Sequence, residues 1–266
     1  MNEKILKTKS NGFAALFSIL LLLILSVVGF ISSIALIRNE GLQVVCILLC
    51  ILVFIGSLML FGGLKVVKPQ EAIVLTLFGE YTGSIKEPGF YFVNPFSVAV
   101  NPAAKTKLGQ SGDVDRQSTP VTISTTGGVE ANLNALKNQI SLKIMTLNNS
   151  RQKINDCLGN PVEIGIAVTW RVVDTAKAVF NVDNYKEYLS LQCDSALRNI
   201  VRIYPYDVAP NVDTTGDGVA DEGSLRGSSE VVAKRIRDEI QARVENAGLE
   251  IIEARITYLA YAPEIA

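Results

Sequence analysis

Residues 13–37 read FAALFSILLLLILSVVGFISSIALI, and residues 42–61 read LQVVCILLCILVFIGSLMLF. Neither stretch contains a charged residue, and only residues 38–41 separate them. At roughly 1.5 Å per residue the stretches form helices of about 37 and 30 Å, each long enough for a hydrocarbon layer of roughly 30 Å. The sequence therefore predicts that residues 1–63 are a membrane anchor with two transmembrane helices.

The part of the chain after residue 63 has the composition of a water-soluble domain. It contains 203 residues (266 minus 63), enough for one sizeable hydrophobic core or two small ones. The net charge of the chain is −1, and no block of like charge occurs. Because nucleic-acid binding depends on clustered Lys and Arg side chains, we expect no nucleic-acid partner.

The residue inventory removes the commonest catalytic sites. The chain has no histidine, which excludes Ser-His-Asp catalysis, Cys-His catalysis and the HExxH zinc site. Cys46 and Cys50 lie in the second apolar stretch, Cys157 and Cys193 stand alone, and no CxxC pair exists. No phosphate loop of GxGxxG or GxxxxGKS/T type occurs. We expect a protein that is not an enzyme and has no cofactor; the enzymatic alternative is a membrane-bound hydrolase using Asp, Lys and Ser.

The distribution of basic residues predicts which side the domain faces. Three lysines precede the first apolar stretch and two follow the second, whereas the loop between them holds only Arg38. The positive-inside rule then places both ends of the anchor, and the soluble domain, in the cytoplasm. Two alternatives are a signal peptide cleaved near Ser33-Ile34-Ala35, which leaves the domain on the same side, and a re-entrant hairpin.

Hydrophobic patterning predicts an α+β domain with mostly antiparallel strands. Strands are expected at residues 71–78, 140–145, 162–170 and 249–260, and helices at residues 174–180, 184–203 and 228–247. Asp174 and Asp183 are the expected caps of the first two helices. Residues 109–139 and 148–160 are expected to form loops. We divide residues 64–266 into a membrane-proximal part at about 64–108 and a larger part at about 140–266.

Two faces are expected to be buried in these elements. Helix 228–247 carries an apolar residue at every fourth position, and strand 249–260 carries an alternating set. The expected core residues are Val232, Ile236, Ile240 and Val244 on the helix, and Ile252, Ala254, Ile256 and Tyr258 on the strand.

The opposite face of helix 228–247 is charged. Glu230 with Lys234, and Glu239 with Arg243, are i,i+4 pairs of the favourable orientation. A solvated surface is the simplest interpretation of such a face. The alternative is a contact between subunits, which would use these four residues.

A short acidic segment resembles part of a calcium-binding loop. Asp213, Asp217 and Asp221 occupy relative positions 1, 5 and 9 of the EF-hand pattern, with Gly218 at position 6. Position 3 is a threonine, and position 12 is Ser224 where the pattern needs a bidentate glutamate. An acidic surface loop is therefore the simpler interpretation, and no metal site is predicted.

Several motifs, in order along residues 64–266, resemble the stomatin/prohibitin/flotillin superfamily, whose shared domain is called SPFH or band 7. They are VKPQEAIV (67–74), FG (78–79), EPGF (87–90), VNPF (93–96), NPVEI (160–164), WRVVDT (170–175), AVF (178–180), CDSALR (193–198), YPYD (204–207), EARI (253–256) and AYAPE (260–264). In particular, the sequence resembles bacterial members with a two-helix N-terminal anchor.

The resemblance implies a membrane scaffold without a catalytic centre. Such proteins bind membrane lipids, assemble into homo-oligomers that organise membrane microdomains, and regulate membrane proteases or channels. We therefore expect a multi-pass protein of a bacterial plasma membrane. The alternative is a small regulatory subunit or adaptor that docks on a membrane protease or channel. Relatives usually continue into a long Ala- and Glu-rich helix, whereas this sequence ends at Ala266, so it is either a fragment or assembles differently.

Overall fold

The computed structural model describes residues 3–6, 11–36, 39–106, 138–149, 151–207 and 223–263. The chain divides into two compact units, one formed by residues 4–100 and the other by residues 1–3 and 101–266. The predicted α+β class is confirmed, since two apolar helices are followed by antiparallel sheets and further helices. The predicted loop at 109–139 lies outside the described residues except for its last two positions.

The two apolar stretches form long helices, as predicted. They are α1 (Gly12–Leu36) and α2 (Glu40–Leu60), and both are long and apolar enough to cross a membrane. The side-chain oxygen of Asn39 accepts a hydrogen bond from Gly41 N (3.2 Å) and so caps α2. The helices approach closely at Gly29, where an added Cβ atom would lie 3.1 Å from Cys50 Sγ. A small residue at this position therefore sets their spacing.

Five strands follow these helices in the unit of residues 4–100. They are β1 (Leu64–Val67), β2 (Glu71–Leu77), β3 (Glu80–Ile85), β4 (Gly89–Phe92) and β5 (Ser97–Ala99). Strand β1 pairs with β4, and β2 pairs with both β3 and β5, all antiparallel. Their inward side chains form one small core of Val67, Ile73, Leu75, Ile85 and Tyr91. The sequence predicts only β2, because the other strands are short and lie among Gly and Pro residues.

The other unit is built on a long central strand. Its strands are β6 (Ile140–Ser141), β7 (Met145–Asn148), β8 (Gln152–Asn155), β9 (Pro161–Val172) and β10 (Leu249–Tyr261). Strand β9 pairs antiparallel with β7, β8 and β10. The strand predicted at 162–170 is confirmed as part of β9, and the residues of one of its faces are fully buried: Val162, Ile164, Ile166, Val168 and Trp170.

Two predictions about the strands of this unit are wrong. Residues 148–160 are not a plain loop, because they contain β8, which extends the sheet along β9. The predicted strand at 140–145 is interrupted between β6 and β7, and Ile144 is 59% exposed. Residues 140–145 therefore do not form one continuous strand.

A β-bulge changes the buried face of β10. Ile251 lies opposite Trp170, and Glu253 lies opposite Thr169, so Ile252 is an extra residue between two paired positions. Because a bulge shifts the alternation of side chains by one position, Ile251 is buried and Ile252 is 39% exposed. The prediction that Ile252 faces the core is wrong for this reason.

Among its described residues this unit also has three α-helices: α3 (Thr175–Phe180), α4 (Tyr185–Val201) and α5 (Ser229–Val244). Asp174 caps α3 as predicted, accepting a hydrogen bond from Lys177 N (2.9 Å). The cap of α4 is Asn184 and not Asp183, because the Asn184 side chain accepts from the backbone of the first turn. The predicted apolar stripe of α5 is fully buried, and the following glycine, Gly248, has the left-handed conformation (φ 68°) expected after a helix.

Candidate interaction surfaces

The charged face of α5 divides into two parts with different surroundings. Glu239 and Arg243 form an ion pair of 2.7 Å, and both side chains are mostly buried. Arg243 also donates to Ser195 Oγ on α4 (2.7 Å), and its carbonyl oxygen accepts from the Tyr188 hydroxyl (3.1 Å). These contacts attach the C-terminal half of α5 to α4. Two of the four predicted contact residues therefore have partners within their own unit.

Glu230 and Lys234 lie in a different place. Both side chains are exposed, and within the described part of the chain they form no ion pair with each other. They line a groove of about 570 Å³ between the N-terminal half of α5 and the middle of β10. The groove is lined by Ser229, Glu230, Ala233, Lys234, Arg237, Ile252, Glu253, Ala254, Arg255 and Ile256. It carries charges of both signs around the exposed side chain of Ile252.

One end of the groove is closed by contacts of α5 with the backbone of β10. Gln241 Nε2 donates to Leu249 O (3.2 Å), and Gln241 Oε1 accepts from Ile251 N (2.7 Å). Arg237 Nε donates to Ile251 O (3.3 Å). The Gln241 amide therefore replaces a neighbouring strand at this point, which is one way in which proteins protect a sheet edge. Neither residue was predicted from the sequence, although Arg237 and Gln241 lie one helical turn apart on the face next to the strand.

The unit of residues 4–100 has an exposed aromatic patch of its own. Phe78 lies in the turn between β2 and β3, is 88% exposed and has a left-handed backbone (φ 51°). Its ring stacks on Phe96 at a centroid distance of 6.2 Å, and Val98 on β5 is also exposed. Pro95, the residue before Phe96, lies beside the end of α2, since its carbonyl oxygen would be 3.3 Å from a Cβ atom added to Gly62. Apolar side chains are thus exposed next to a helix of membrane-spanning length.

Two acidic residues of the other unit, the buried Asp156 and the partly buried Asp194, have structural partners. Asp156 Oδ1 accepts from Leu158 N (2.9 Å) and Asn160 N (2.8 Å), and its Oδ2 accepts from Tyr206 N (3.1 Å). Asp194 Oδ1 accepts from the Asn149 and Gln152 side-chain amides. These carboxylates hold turns and strands together, because their oxygens are used by donors of the same unit.

The two cysteines of this unit have raised pKa values. Burial raises the pKa of Cys193 to about 12, with a further contribution from the Asp194 charge. Desolvation and the neighbouring Asp156 charge raise the pKa of Cys157. Both thiols are therefore protonated near neutral pH, and a protonated thiol is a poor nucleophile.

The predicted acidic segment is not part of the described structure. Asp213, Asp217 and Asp221 fall within residues 208–222, outside the described ranges. Among the residues that the structure describes, no cluster of three or more Cys, Asp or Glu side chains could hold a metal ion. The site residues that can be placed are therefore those of α5, β10 and the aromatic patch.

Comparison with known proteins identifies the family. No curated protein matches the sequence. Residues 65–266 match the model of the SPFH domain / Band 7 family, and the match begins two residues after the short helical turn that follows α2. Proteins of this family are generally membrane-associated scaffolds that oligomerise. Because the match covers most of the chain, this protein belongs to the SPFH domain / Band 7 family.

Proposed function

We propose that this protein is a membrane-anchored homo-oligomeric scaffold that organises membrane microdomains and regulates membrane protein complexes or proteases. The observation that carries the proposal is the joining of two helices of membrane-spanning length to a band 7 domain over the rest of the chain. The protonated thiols and the structurally used carboxylates agree with a binding role.

The proposal assigns a role to each part of the chain. Residues 1–63 anchor the protein, residues 64–108 lie close to the bilayer, and residues 140–266 provide contacts between copies. The soluble part faces the cytoplasm of a bacterial cell, because lysines flank the outer ends of the apolar pair. Protease added to intact cells should leave the soluble part uncut; its digestion would place the domain on the outside.

The aromatic patch supports the proposal that residues 64–108 lie close to the bilayer. Phe78 and Phe96 expose stacked rings, and Pro95 next to Phe96 lies beside the end of α2. Apolar side chains such as Phe insert into the membrane interface. A Phe78→Trp variant in vesicles should lose fluorescence when the lipids carry bromine on their upper acyl carbons. The wild-type protein is the control, because Trp170 is its only tryptophan and is fully buried. Equal quenching of both proteins would show that the side chain at position 78 does not contact the lipids.

The groove between α5 and β10 is the proposed contact between copies. Glu230 and Lys234 line it and have no ion-pair partner in the described chain, whereas Glu239 and Arg243 are held by their own unit. A neighbouring copy can therefore pair with the first two residues without breaking an existing bond. The groove also exposes Ile252, so a second copy would bury apolar surface there together with charges.

The test is the mass of the assembly extracted from membranes, measured by native mass spectrometry. We expect many copies for the wild type and fewer for Lys234→Glu. The matched control is Lys143→Glu, which makes the same charge change at an exposed lysine of the same unit outside the groove. A wild-type monomer would contradict the scaffold and favour the adaptor. A large assembly that Lys234→Glu leaves intact would exclude the groove as the contact.

A further inference from the structure

The residues that precede the first apolar helix are bonded to the soluble part of their unit. Ser84 N on β3 donates to Lys4 O (2.8 Å), and Leu6 N donates to Ser84 O (2.9 Å). This is a parallel bridge between Ile5 and Ser84. The N-terminal arm (residues 4–6) therefore uses the outer edge of β3, whose other edge pairs with β2.

The side chains of the arm alternate between the core and the solvent. Leu6 packs against the core cluster of this unit, whereas Ile5 is 50% exposed. Gly83, next to Ser84, makes room for Leu6, because a Cβ atom at this glycine would lie 2.6 Å from Leu6 Cγ. A Cβ cannot approach another carbon so closely without displacing it. The edge of β3 is thus shaped for Leu6.

A tyrosine adds a third point of attachment. The Tyr81 hydroxyl accepts a hydrogen bond from Lys4 N (3.2 Å) and lies 2.8 Å from Ser84 Oγ. The start of α1 is held as well, because the rings of Phe13 and Phe90 on β4 meet edge to face at 5.2 Å. The chain leaves the sheet at the arm, passes through both apolar helices and returns to the same unit at β1.

We propose that the N-terminal arm is a permanent part of the soluble domain, docked on the edge of β3. The apolar pair then enters and leaves the membrane on one face, and the junction between α1 and α2 lies on the opposite face. The first apolar stretch stays in the mature protein, since cleavage after Ala35 would separate the arm from the edge that it covers. Three hydrogen bonds to the arm attach β3 to the segment that precedes the first helix. The soluble domain is therefore bonded to the anchor at this point, in addition to its covalent connection through β1.

The first test measures retention and topology of the full chain. The protein from membranes should have the intact mass of 28.8 kDa, without loss of residues 1–35. In a Cys157→Ser background, a membrane-impermeant maleimide should label an Asn39→Cys variant only from the face opposite the soluble domain. A mass without the N-terminal segment, or labelling at position 39 from the domain's own face, would overturn the proposal.

The second test compares two neighbouring arm residues by hydrogen exchange of the Ser84 amide. Leu6→Asp places a charge against the core and should speed exchange at least about tenfold. Ile5→Asp is the matched control and should change the rate less than about twofold, because that side chain faces solvent. Equal rates in both variants would show that the arm does not cover β3. Should Leu6→Asp not accumulate, unprotected exchange of Ser84 in the wild type would overturn the proposal by itself.

Discussion

The two halves of α5 carry similar charge patterns and have different tertiary contacts. In the C-terminal half, Arg243 pairs with Glu239 and donates to Ser195 on α4, and Gln241 binds the backbone of β10. In the N-terminal half, Glu230 and Lys234 border an open groove. An i,i+4 charge pair therefore does not by itself identify a free surface. What decides is whether a neighbouring element of the same unit lies within hydrogen-bonding distance.

The largest effect is expected where α5 protects the edge of β10. Gln241→Leu should lower the free energy of unfolding by about 2 kcal/mol, because Leu249 O and Ile251 N lose their partner in a partly buried place. Chemical unfolding of the full chain in detergent, followed by Trp170 fluorescence, measures the change. Gln241→Glu keeps the acceptor for Ile251 N but sets a carboxylate oxygen against Leu249 O. Protonation of that carboxyl at low pH restores a donor, so the loss in this variant should fall below that of Gln241→Leu as the pH is lowered. Equal losses in the two variants at low pH would contradict the two-bond account.

A smaller effect is expected at the contact with α4. Arg243→Met keeps much of the side-chain volume but removes the bonds to Glu239 and Ser195, so we expect a loss of about 1 kcal/mol. The same unfolding measurement applies. Ser195→Ala removes only one of these bonds and should lose less than Arg243→Met. Unchanged stability of Arg243→Met would mean that the bonds of Arg243 do not stabilise the fold. The two halves of α5 would then not differ in what their charged residues contribute to the free energy of unfolding.

The smallest effect is expected in the groove. Lys234→Met changes an exposed side chain that has no ion-pair partner in the described chain, so unfolding should shift by less than about 0.5 kcal/mol. The same variant should reduce the assembly mass if the groove binds a second copy. A loss of stability as large as that of Arg243→Met would show that Lys234 has a structural role, and the comparison between the two halves would fail.

Long and regular patterns were predictable from the sequence, and local irregularities were not. The apolar helices, the buried face of β9 and the stripe of α5 follow from one period sustained over many residues. The bulge at Ile252 and the short strand β8 do not, since one inserted residue or four paired residues leave a weak periodic signal. Part of the candidate site was predicted from the sequence, since the i,i+4 spacing of charges singled out Glu230 and Lys234. The roles of Arg237 and Gln241 could not be predicted, because they depend on where β10 lies.

The sequence by itself determined the two apolar helices, the α+β class and, through its ordered motifs, the family. These depend on composition and on spacing along the chain, which tertiary contacts do not change. Only the tertiary structure decided which charges are available and that Leu6 covers β3 beside Gly83. Both are contacts between residues far apart in sequence. The physical reason is that hydrogen bonds and close packing depend on distances of a few ångströms in space, and the sequence alone does not contain those distances.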